Sequence, residues 1–385
     1  MRKLCVAALT VIALAGQVQA QQVGRAPLSV EVSSPPTALL ALGRWQMVYE
    51  VRLVNFGAES MVLSQLDVLD STGAVVGSWK DAQLAQRILK IGNTAPRTPQ
   101  NLLEVLQLAP GQVNVAFLLV ALQPGRMTPS TIHHRVITRT SGVTDTTMSR
   151  LVTTSASTVI RTVAPVAPGT WVALRGPSNS SGHRLSFVAQ GGQSAIPQRY
   201  AVDWAMLGED GRLFRGDSAK LENWYGYGTP VTAIARGRVV WVRDGMSERA
   251  PFGYSAPAQI EAADAVGNCI IVDLGGGQFA TFAHLKPGSV RVKAGDQLSA
   301  GQVIGEVGNS GNSLAPHLHF HISNAPGVLA GEGLPFALET FELVGRVSSS
   351  AALLAGVPWV PNAAQPSRTV INETPLENMV VRFTR

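Results

Sequence analysis

The chain has 385 residues, which is too long for one ordinary core and fits two domains of typical size. Hydrophobic residues make up 45% and charged residues 15%, so the composition excludes a disordered chain and predicts packed domains. The 38 Gly and 23 Pro favour many short strands joined by turns over long helices. The net charge is +6, but the basic residues form no cluster, so we expect no nucleic-acid binding.

The first twenty residues are typical of a secretory signal peptide. Arg2 and Lys3 form the positive start, residues 5–16 form an apolar stretch, and residues 18–20 (Val-Gln-Ala) have the small side chains of a cleavage site. The apolar stretch is too short to span a bilayer. We therefore expect an exported protein, periplasmic or extracellular, that does not span the membrane and begins at Gln21.

Residues 21–165 are predicted to form a β-sandwich of immunoglobulin-like character. In residues 48–53 apolar and charged side chains alternate, which is the period of a half-buried strand. Residues 66–70 and 113–122 are further candidate strands. This region has no cluster of metal-ligating residues, and the adjacent histidines at 133–134 are interpreted as structural or solvated.

A Ser/Thr-rich stretch, residues 138–162, is interpreted as a connection between two domains. We assign residues 166–345 to a second, β-rich domain and residues 346–385 to a tail that packs on either domain. The tail contains a possible last strand over residues 379–383. In the second domain, Gly-rich turns flank predicted strands over residues 231–242, 269–274, 278–285, 302–307 and 318–322.

Three of the seven histidines lie at alternate positions, as His317, His319 and His321. On a strand, alternate side chains share one face, so the three imidazoles are predicted to form a row facing one cavity. Neutral imidazole is the commonest zinc ligand, and rigid strands are suited to a catalytic zinc site. The pattern favours a metal site over a histidine-rich surface strand.

Four motifs in order resemble those of the lysostaphin/LytM-type zinc metalloendopeptidases. They are Phe-Ala-His-Leu at 282–285, residues 290–296, residues 301–305, and Ala-Pro-His-Leu-His-Phe at 315–320. The resemblance covers roughly residues 170–340. It implies a β-rich peptidase domain, one zinc ion per chain, and hydrolysis of peptide bonds, most directly in peptidoglycan. The partner would be a peptidoglycan or peptide substrate.

The resemblance implies a role for each matching position. His319, the second histidine of the His-x-His pair, is implied as a zinc ligand, and so is Asp203 at the end of Tyr-Ala-Val-Asp. His317 and His284 are implied as catalytic residues beside the open coordination position. They would stabilise the charge on the attacked carbonyl or carry a proton to the leaving amine.

One position departs from the family pattern. The usual ligand histidine stands four residues before the aspartate, and this chain has Arg199 there, which stays protonated and cannot bind zinc. We expect His183 to replace it as the third ligand, delivered by a longer loop. His321 is the competing candidate, at a position where the family more often has Glu.

Two functions are compatible with the sequence. The leading hypothesis is the zinc endopeptidase. The alternative is a catalytically inactive binding or regulatory module that controls other cell-wall hydrolases, and Arg199 is the residue that favours it. Trp224, Tyr225 and Tyr227 either line a substrate groove or form a packed turn.

Overall fold

The computed structural model of the chain describes residues 27–92, 101–155, 159–252 and 262–384. Within these ranges strands dominate and the few helices are short, so the expectation of a mainly β protein is confirmed. The predicted signal peptide lies outside the described residues. None of the described helices has the length and apolar character needed to cross a membrane.

The N-terminal part consists of two antiparallel sheets. Its short helix is α1 (Asp81–Ala85), followed by a 3-10 turn at Leu102–Leu106. Its strands are β1 (Leu28–Val32), β2 (Thr37–Ala41), β3 (Arg44–Asn55), β4 (Met61–Asp70), β5 (Val75–Lys80), β6 (Ile88–Lys90), β7 (Gln107–Leu108), β8 (Val113–Ala121), β9 (Thr131–Thr140), β10 (Val143–Met148) and β11 (Val152–Thr153).

The first sheet has the order β1-β3-β8-β6, with β2 paired to β3; the second has the order β10-β9-β4-β5, with β7 and β11 paired to β4 and β9. The apolar side chains of β3 that the alternation predicted, Tyr49, Val51 and Leu53, share a core with Leu66 and Val68 of β4. The two sheets therefore pack face to face. The immunoglobulin-like character of this sandwich stays a prediction.

The Ser/Thr-rich stretch is not simply a connection. Its first half continues β9 and forms β10, and the two strands pair from Arg135 with Met148 to Thr140 with Val143. Thr and Val are good strand formers, and the composition of the stretch does not distinguish an edge hairpin from a linker. The prediction of a linker over residues 138–148 was therefore wrong.

His134 is a buried histidine on β9. Its Nε2 lies 3.0 Å from Tyr49 Oη and its Nδ1 lies 3.2 Å from Ser149 Oγ. Burial lowers the pKa of His134 to about 4, and the neighbouring His133 adds to this shift. The histidine is therefore neutral inside the sandwich at pH 7, which agrees with its interpretation as structural.

This burial predicts a pH-dependent stability. The folded-state pKa lies below the unfolded value, so the unfolded state binds more protons between pH 6.5 and about 4, and stability falls as pH falls through that window. We expect His134 to account for about 2 kcal/mol of lost unfolding free energy between pH 7.5 and 5. Urea unfolding at both pH values should show a smaller loss for His134→Gln than for the wild type. Equal losses would contradict the assignment.

The second half is built on a large twelve-stranded sheet. Its helices are α2 (Gly182–Leu185), α3 (Ala262–Ala265) and α4 (Ser350–Leu354), with a 3-10 turn at Leu221–Asn223. Its strands are β12 (Ile160–Thr162), β13 (Gly169–Arg175), β14 (Val188–Gln190), β15 (Gln193–Ala195), β16 (Val202–Leu207), β17 (Pro230–Thr232), β18 (Gly237–Arg243), β19 (Asn268–Gly275), β20 (Gln278–Leu285), β21 (Gln297–Leu298), β22 (Val303–Glu306), β23 (Leu318–Ser323), β24 (Gly333–Leu334), β25 (Phe336–Arg346), β26 (Arg368–Glu373) and β27 (Met379–Phe383).

The strand order is β12-β25-β27-β13-β16-β23-β20-β19-β18-β21, with β24 and β26 paired to β23 and β25. The tail strands β26 and β27 thus lie in the same sheet as β16 and β23. The hairpin β14-β15 and the pair β17-β22 stand outside it.

In the centre of the large sheet, apolar and polar side chains lie on opposite faces, because successive residues of a strand point to opposite sides. Leu318, Phe320 and Ile322 of β23 face the main core, where they meet Trp204 and Phe282. The histidines that alternate with them face the other side of the sheet. Cys269 is buried.

Candidate metal centre

The predicted site residues of β16 and β23 lie in one cross-strand row. Asp203 is directly opposite His319, which is opposite Ala283 of β20; on the other side of Asp203 stands Arg175 of β13. Directly paired residues point to the same face, so these side chains are neighbours. His183 reaches this row from the short helix α2.

His183, Asp203 and His319 each place one possible ligand atom within 4.8 Å of the others. His183 Nε2 lies 2.9 Å from one carboxylate oxygen of Asp203, and His319 Nδ1 lies 2.9 Å from the other. The buried His183 Nε2 nevertheless has no aligned hydrogen-bond partner among the described residues. Two imidazole nitrogens converging on a carboxylate are the donor set of a zinc ion, which binds such atoms at about 2.0–2.2 Å.

Asp203 is the charged centre of this group. Burial alone would raise its pKa, but the attraction and hydrogen bonds of His183 and His317 hold the pKa of Asp203 well below its usual range. The side chain is therefore an anion within a buried cluster of imidazoles.

His319 is neutral and has its two ring nitrogens in different surroundings. Burial lowers its pKa to about 4, against the opposing hydrogen bond of Asp203. While Nδ1 faces Asp203, Nε2 lies 2.9 Å from His321 Nδ1. Asp203 is an anion and accepts from Nδ1–H in this structure. With a metal in the ligand group, the proton would stand on Nε2 and be donated to His321, which would leave the Nδ1 lone pair for the ion.

His321 lies behind His319 rather than within the ligand group. It is completely buried, and burial, together with the charges of His319 and His183, lowers its pKa far below the usual value. Its Nε2 has no hydrogen-bond partner in the described part of the chain. The geometry favours His183 over His321 as the third ligand.

His284 and His317 stand side by side, with ring centroids 4.8 Å apart. His284 Nδ1 lies 2.8 Å from Ser310 O, and His317 Nδ1 lies 2.8 Å from Ala315 O. A carbonyl only accepts, so both Nδ1 atoms donate. His317 Nε2 lies 3.4 Å from Asp203 Oδ1, beside the ligand group.

The two imidazoles differ in their preference for a proton. Burial and the charges of His317 and His319 hold the pKa of His284 well below its usual value. Burial works in the same direction on His317, but Asp203 outweighs it, and the pKa of His317 is raised. Such opposite shifts in adjacent groups are typical of an acid–base pair.

Two residues that contact the catalytic histidines of the proposal, Ser310 and Ser313, lie outside the four family motifs. His284 has φ +62°, a left-handed conformation at the end of β20, and Ser310 accepts its ring proton. Backbone strain of this kind concentrates at functional sites. Ser313 Oγ lies 3.1 Å from His317 Nδ1. The periodicity of the sequence contains no signal for the strained backbone.

Arg199, the residue at the usual ligand position, is held away from a ligand role by two carboxylates. Its guanidinium lies 3.0 Å from Glu50 of the sandwich and 2.6 Å from Glu332. Burial opposes its charge, but the attraction of Glu50 outweighs this and raises the pKa of Arg199. Glu50 was not predicted as part of the site because it lies in the other half of the chain.

The three aromatic residues of the 224–227 segment are mostly packed. Trp224 is buried against Phe214 and Phe252. Tyr227 donates to Glu248 at 2.6 Å, and Tyr225 donates to Asp210 at 3.1 Å. Of the two interpretations left open, these contacts favour the packed turn.

Comparison with known proteins assigns residues 224–329 of the chain. Residues 224–329 match Peptidase family M23, a range that includes His284, His317 and His319. Lysostaphin of Staphylococcus staphylolyticus is 30% identical over 132 residues, covering 34% of this chain and 23% of that protein. Glycyl-glycine endopeptidase ALE-1 of Staphylococcus capitis is 32% identical over 105 residues, covering 27% and 24% respectively. The chain thus spans about a quarter of these relatives.

Among solved structures, the catalytic domain of the antimicrobial peptidase lysostaphin from Staphylococcus simulans is similar at 27% identity and a TM-score of 0.22, over 40% of this chain and 78% of that one. The family match and the two curated relatives agree with the four motifs and with the histidines of β20 and β23. The chain therefore contains a peptidase domain of family M23, of the lysostaphin/LytM type.

Proposed function

We propose that this protein is an exported, zinc-dependent endopeptidase that hydrolyses peptide bonds, with peptidoglycan as the leading substrate. The convergence of His183, Asp203 and His319 on one point is the observation that carries the proposal. Its support is the M23 match together with relatives whose names describe lysostaphin and a glycyl-glycine endopeptidase.

In this proposal His183, Asp203 and His319 hold one zinc ion. When bound, the ion would supply Lewis-acid polarisation of the scissile carbonyl and a water of lowered pKa. Asp203 contributes the negative charge, and the two histidines contribute neutral nitrogen donors. With the ion bound, His321 Nδ1 would accept from His319 Nε2–H and so hold His319 in the tautomer whose Nδ1 binds the metal.

His284 and His317 act on the substrate. Their Nδ1–H groups donate to main-chain carbonyls, which orients each ring. In this proposal Nε2 is the nitrogen of each ring that meets the reacting atoms. His317, with its raised pKa, is suited to donate a hydrogen bond or a proton. His284, with its lowered pKa, is suited to remain neutral and accept one. Both lie beside the ligand group rather than within it.

The proposal includes the domain layout expected from the sequence. Residues 1–20 direct export, residues 21–165 form the immunoglobulin-like sandwich, residues 166–345 form the peptidase domain, and residues 346–385 pack as the tail. The signal-like pattern of residues 1–20 supports the exported location.

Metal content tests the proposal directly. Elemental analysis of the purified protein is expected to find about one zinc per chain in the wild type and little in His183→Ala, because that change removes one of three ligands. A wild type without zinc, even after incubation with the metal, would favour the regulatory alternative. A His183→Ala variant with full zinc would remove His183 from the ligand set.

A further inference from the structure

A buried cluster of charges joins the sandwich to the loop that carries His183. We propose that Glu50, on β3 of the sandwich, is a positioning residue for His183, so that the N-terminal sandwich forms part of the metal centre. This inference rests on the proposed role of His183 as a ligand. It extends the site across both halves of the chain.

Arg184, the residue after His183, is anchored in the sandwich. Its Nε donates to Glu50 Oε1 at 2.9 Å, and its Nη2 donates to the main-chain oxygens of Tyr49 at 2.7 Å and Leu118 at 2.8 Å. The side chain is completely buried. Consecutive Cα atoms are about 3.8 Å apart, so fixing Arg184 constrains the backbone that directs the His183 imidazole.

The same carboxylate holds the other end of the loop. Glu50 Oε2 accepts from Arg199 Nε at 3.0 Å. The loop from Arg184 to Arg199 is thus closed by one side chain, and the chain continues from Arg199 into β16 and Asp203. Two of the three proposed ligands, His183 and Asp203, therefore lie within four residues of a side chain that Glu50 holds.

The local side-chain contacts of α2 are few: Arg184 Nη1 donates to Asn179 Oδ1 at 3.0 Å, and Ser186 Oγ donates to Gly182 O at 2.8 Å. This helix has four residues, too few to be stable alone, and Ser181 at its N-cap makes no side-chain capping bond. The apolar contacts of the loop also lie on the sandwich: Leu185 packs in a cluster with Val115 and Phe117 of β8. Helix α2 is consequently positioned from outside the peptidase sheet.

The charges explain why Glu50 is required. Two guanidinium groups share one carboxylate in a site with almost no solvent access. Removing that charge leaves Arg184 without a carboxylate partner and leaves Arg199 with Glu332 alone, and the repulsion of the two buried cations is stronger in a low dielectric. We expect the Arg184 end of the loop to move away, and His183 with it.

The first test compares Glu50→Gln with a matched control, Glu373→Gln. Glu373 is also a buried carboxylate that joins the two halves, since it accepts from Gly43 N at 3.1 Å, but β25, β27 and β13 separate it from β16. We expect the zinc dissociation constant, measured by chelator competition, to rise about 10- to 100-fold in Glu50→Gln and to stay within about 3-fold in Glu373→Gln.

Replacing zinc with cobalt(II) gives a visible absorption spectrum that depends on the ligands of the metal and not on the overall stability of the protein. The visible spectrum of the Glu50→Gln protein is expected to resemble that of His183→Ala, because both would lose the same nitrogen ligand. Should Glu50→Gln fail to fold, Arg184→Lys keeps the charge balance but loses the forked hydrogen bonds. It is expected to weaken zinc binding in the same way.

The proposal would be overturned if folded Glu50→Gln or Arg184→Lys had the zinc affinity and the cobalt spectrum of the wild type. It would also be overturned if Glu373→Gln lost as much zinc affinity as Glu50→Gln. Hydrogen exchange of the metal-free protein separates this inference from the proposed function. Faster exchange over residues 182–199 in Glu50→Gln would support the anchoring even in a protein that binds no zinc. Unchanged exchange would refute it.

Discussion

Replacing His319 with alanine is expected to abolish zinc binding and, with it, hydrolysis. His319 is buried on the central strand β23, and its Nδ1 lies 2.9 Å from Asp203. If several ligands share the binding energy of a tight zinc site, losing one weakens binding on the order of 100- to 1000-fold. Chelator competition and elemental analysis measure the affinity and the content, and peptide hydrolysis measures the activity.

The matched control is His133→Ala. His133 is a histidine of the sandwich whose Nε2 has no hydrogen-bond partner among the described residues. It lies on β9, a strand of the second sandwich sheet, and we expect its loss to leave zinc content and hydrolysis unchanged. If His319→Ala retained zinc and full activity, the proposed ligand set would be wrong.

Replacing His284 with alanine is expected to separate metal binding from turnover. The ring is turned by its hydrogen bond to Ser310 O, and the residue lies outside the group of converging ligand atoms. The variant should therefore keep about one zinc. It should lose hydrolysis by about 100- to 10,000-fold, the usual contribution of a positioned proton-transfer group.

The loss should appear in kcat, with KM little changed, because the proposed role is confined to the reaction step. The left-handed backbone at His284 requires a second variant, since alanine is strained at φ +62°. Asparagine tolerates that conformation, so His284→Asn should fold, bind zinc and be equally inactive. Loss of zinc from both variants would instead place His284 among the ligands, and full activity in both would exclude it from the reaction.

The local pattern of the sequence was sufficient to predict those parts of the site that depend on the two-residue period of a strand. His317, His319 and His321 share a face because they alternate with Leu318 and Phe320, which enter the core. The motifs around these residues were sufficient to identify the family. The strand over residues 278–285 that carries His284 was predicted with the bounds that the structure has.

Features that depend on distant contacts required the tertiary structure. The sequence showed that Arg199 cannot bind zinc, but only the packing of the two halves showed that it holds Glu50, 149 residues away. His321 and His183 were both possible third ligands, since periodicity places His321 on the correct face. Only the ring positions distinguished the residue behind His319 from the one facing Asp203.

The chain by itself therefore determined the mainly β class, the row of histidines and the family of the second domain. These follow from the two-residue strand period and from short motifs, both of which are local properties. The tertiary structure decided which loop reaches the row, which residue orients His319, and how Glu50 anchors α2. Those contacts form between elements far apart in sequence, so their partners are set by strand order and domain packing rather than by neighbouring residues.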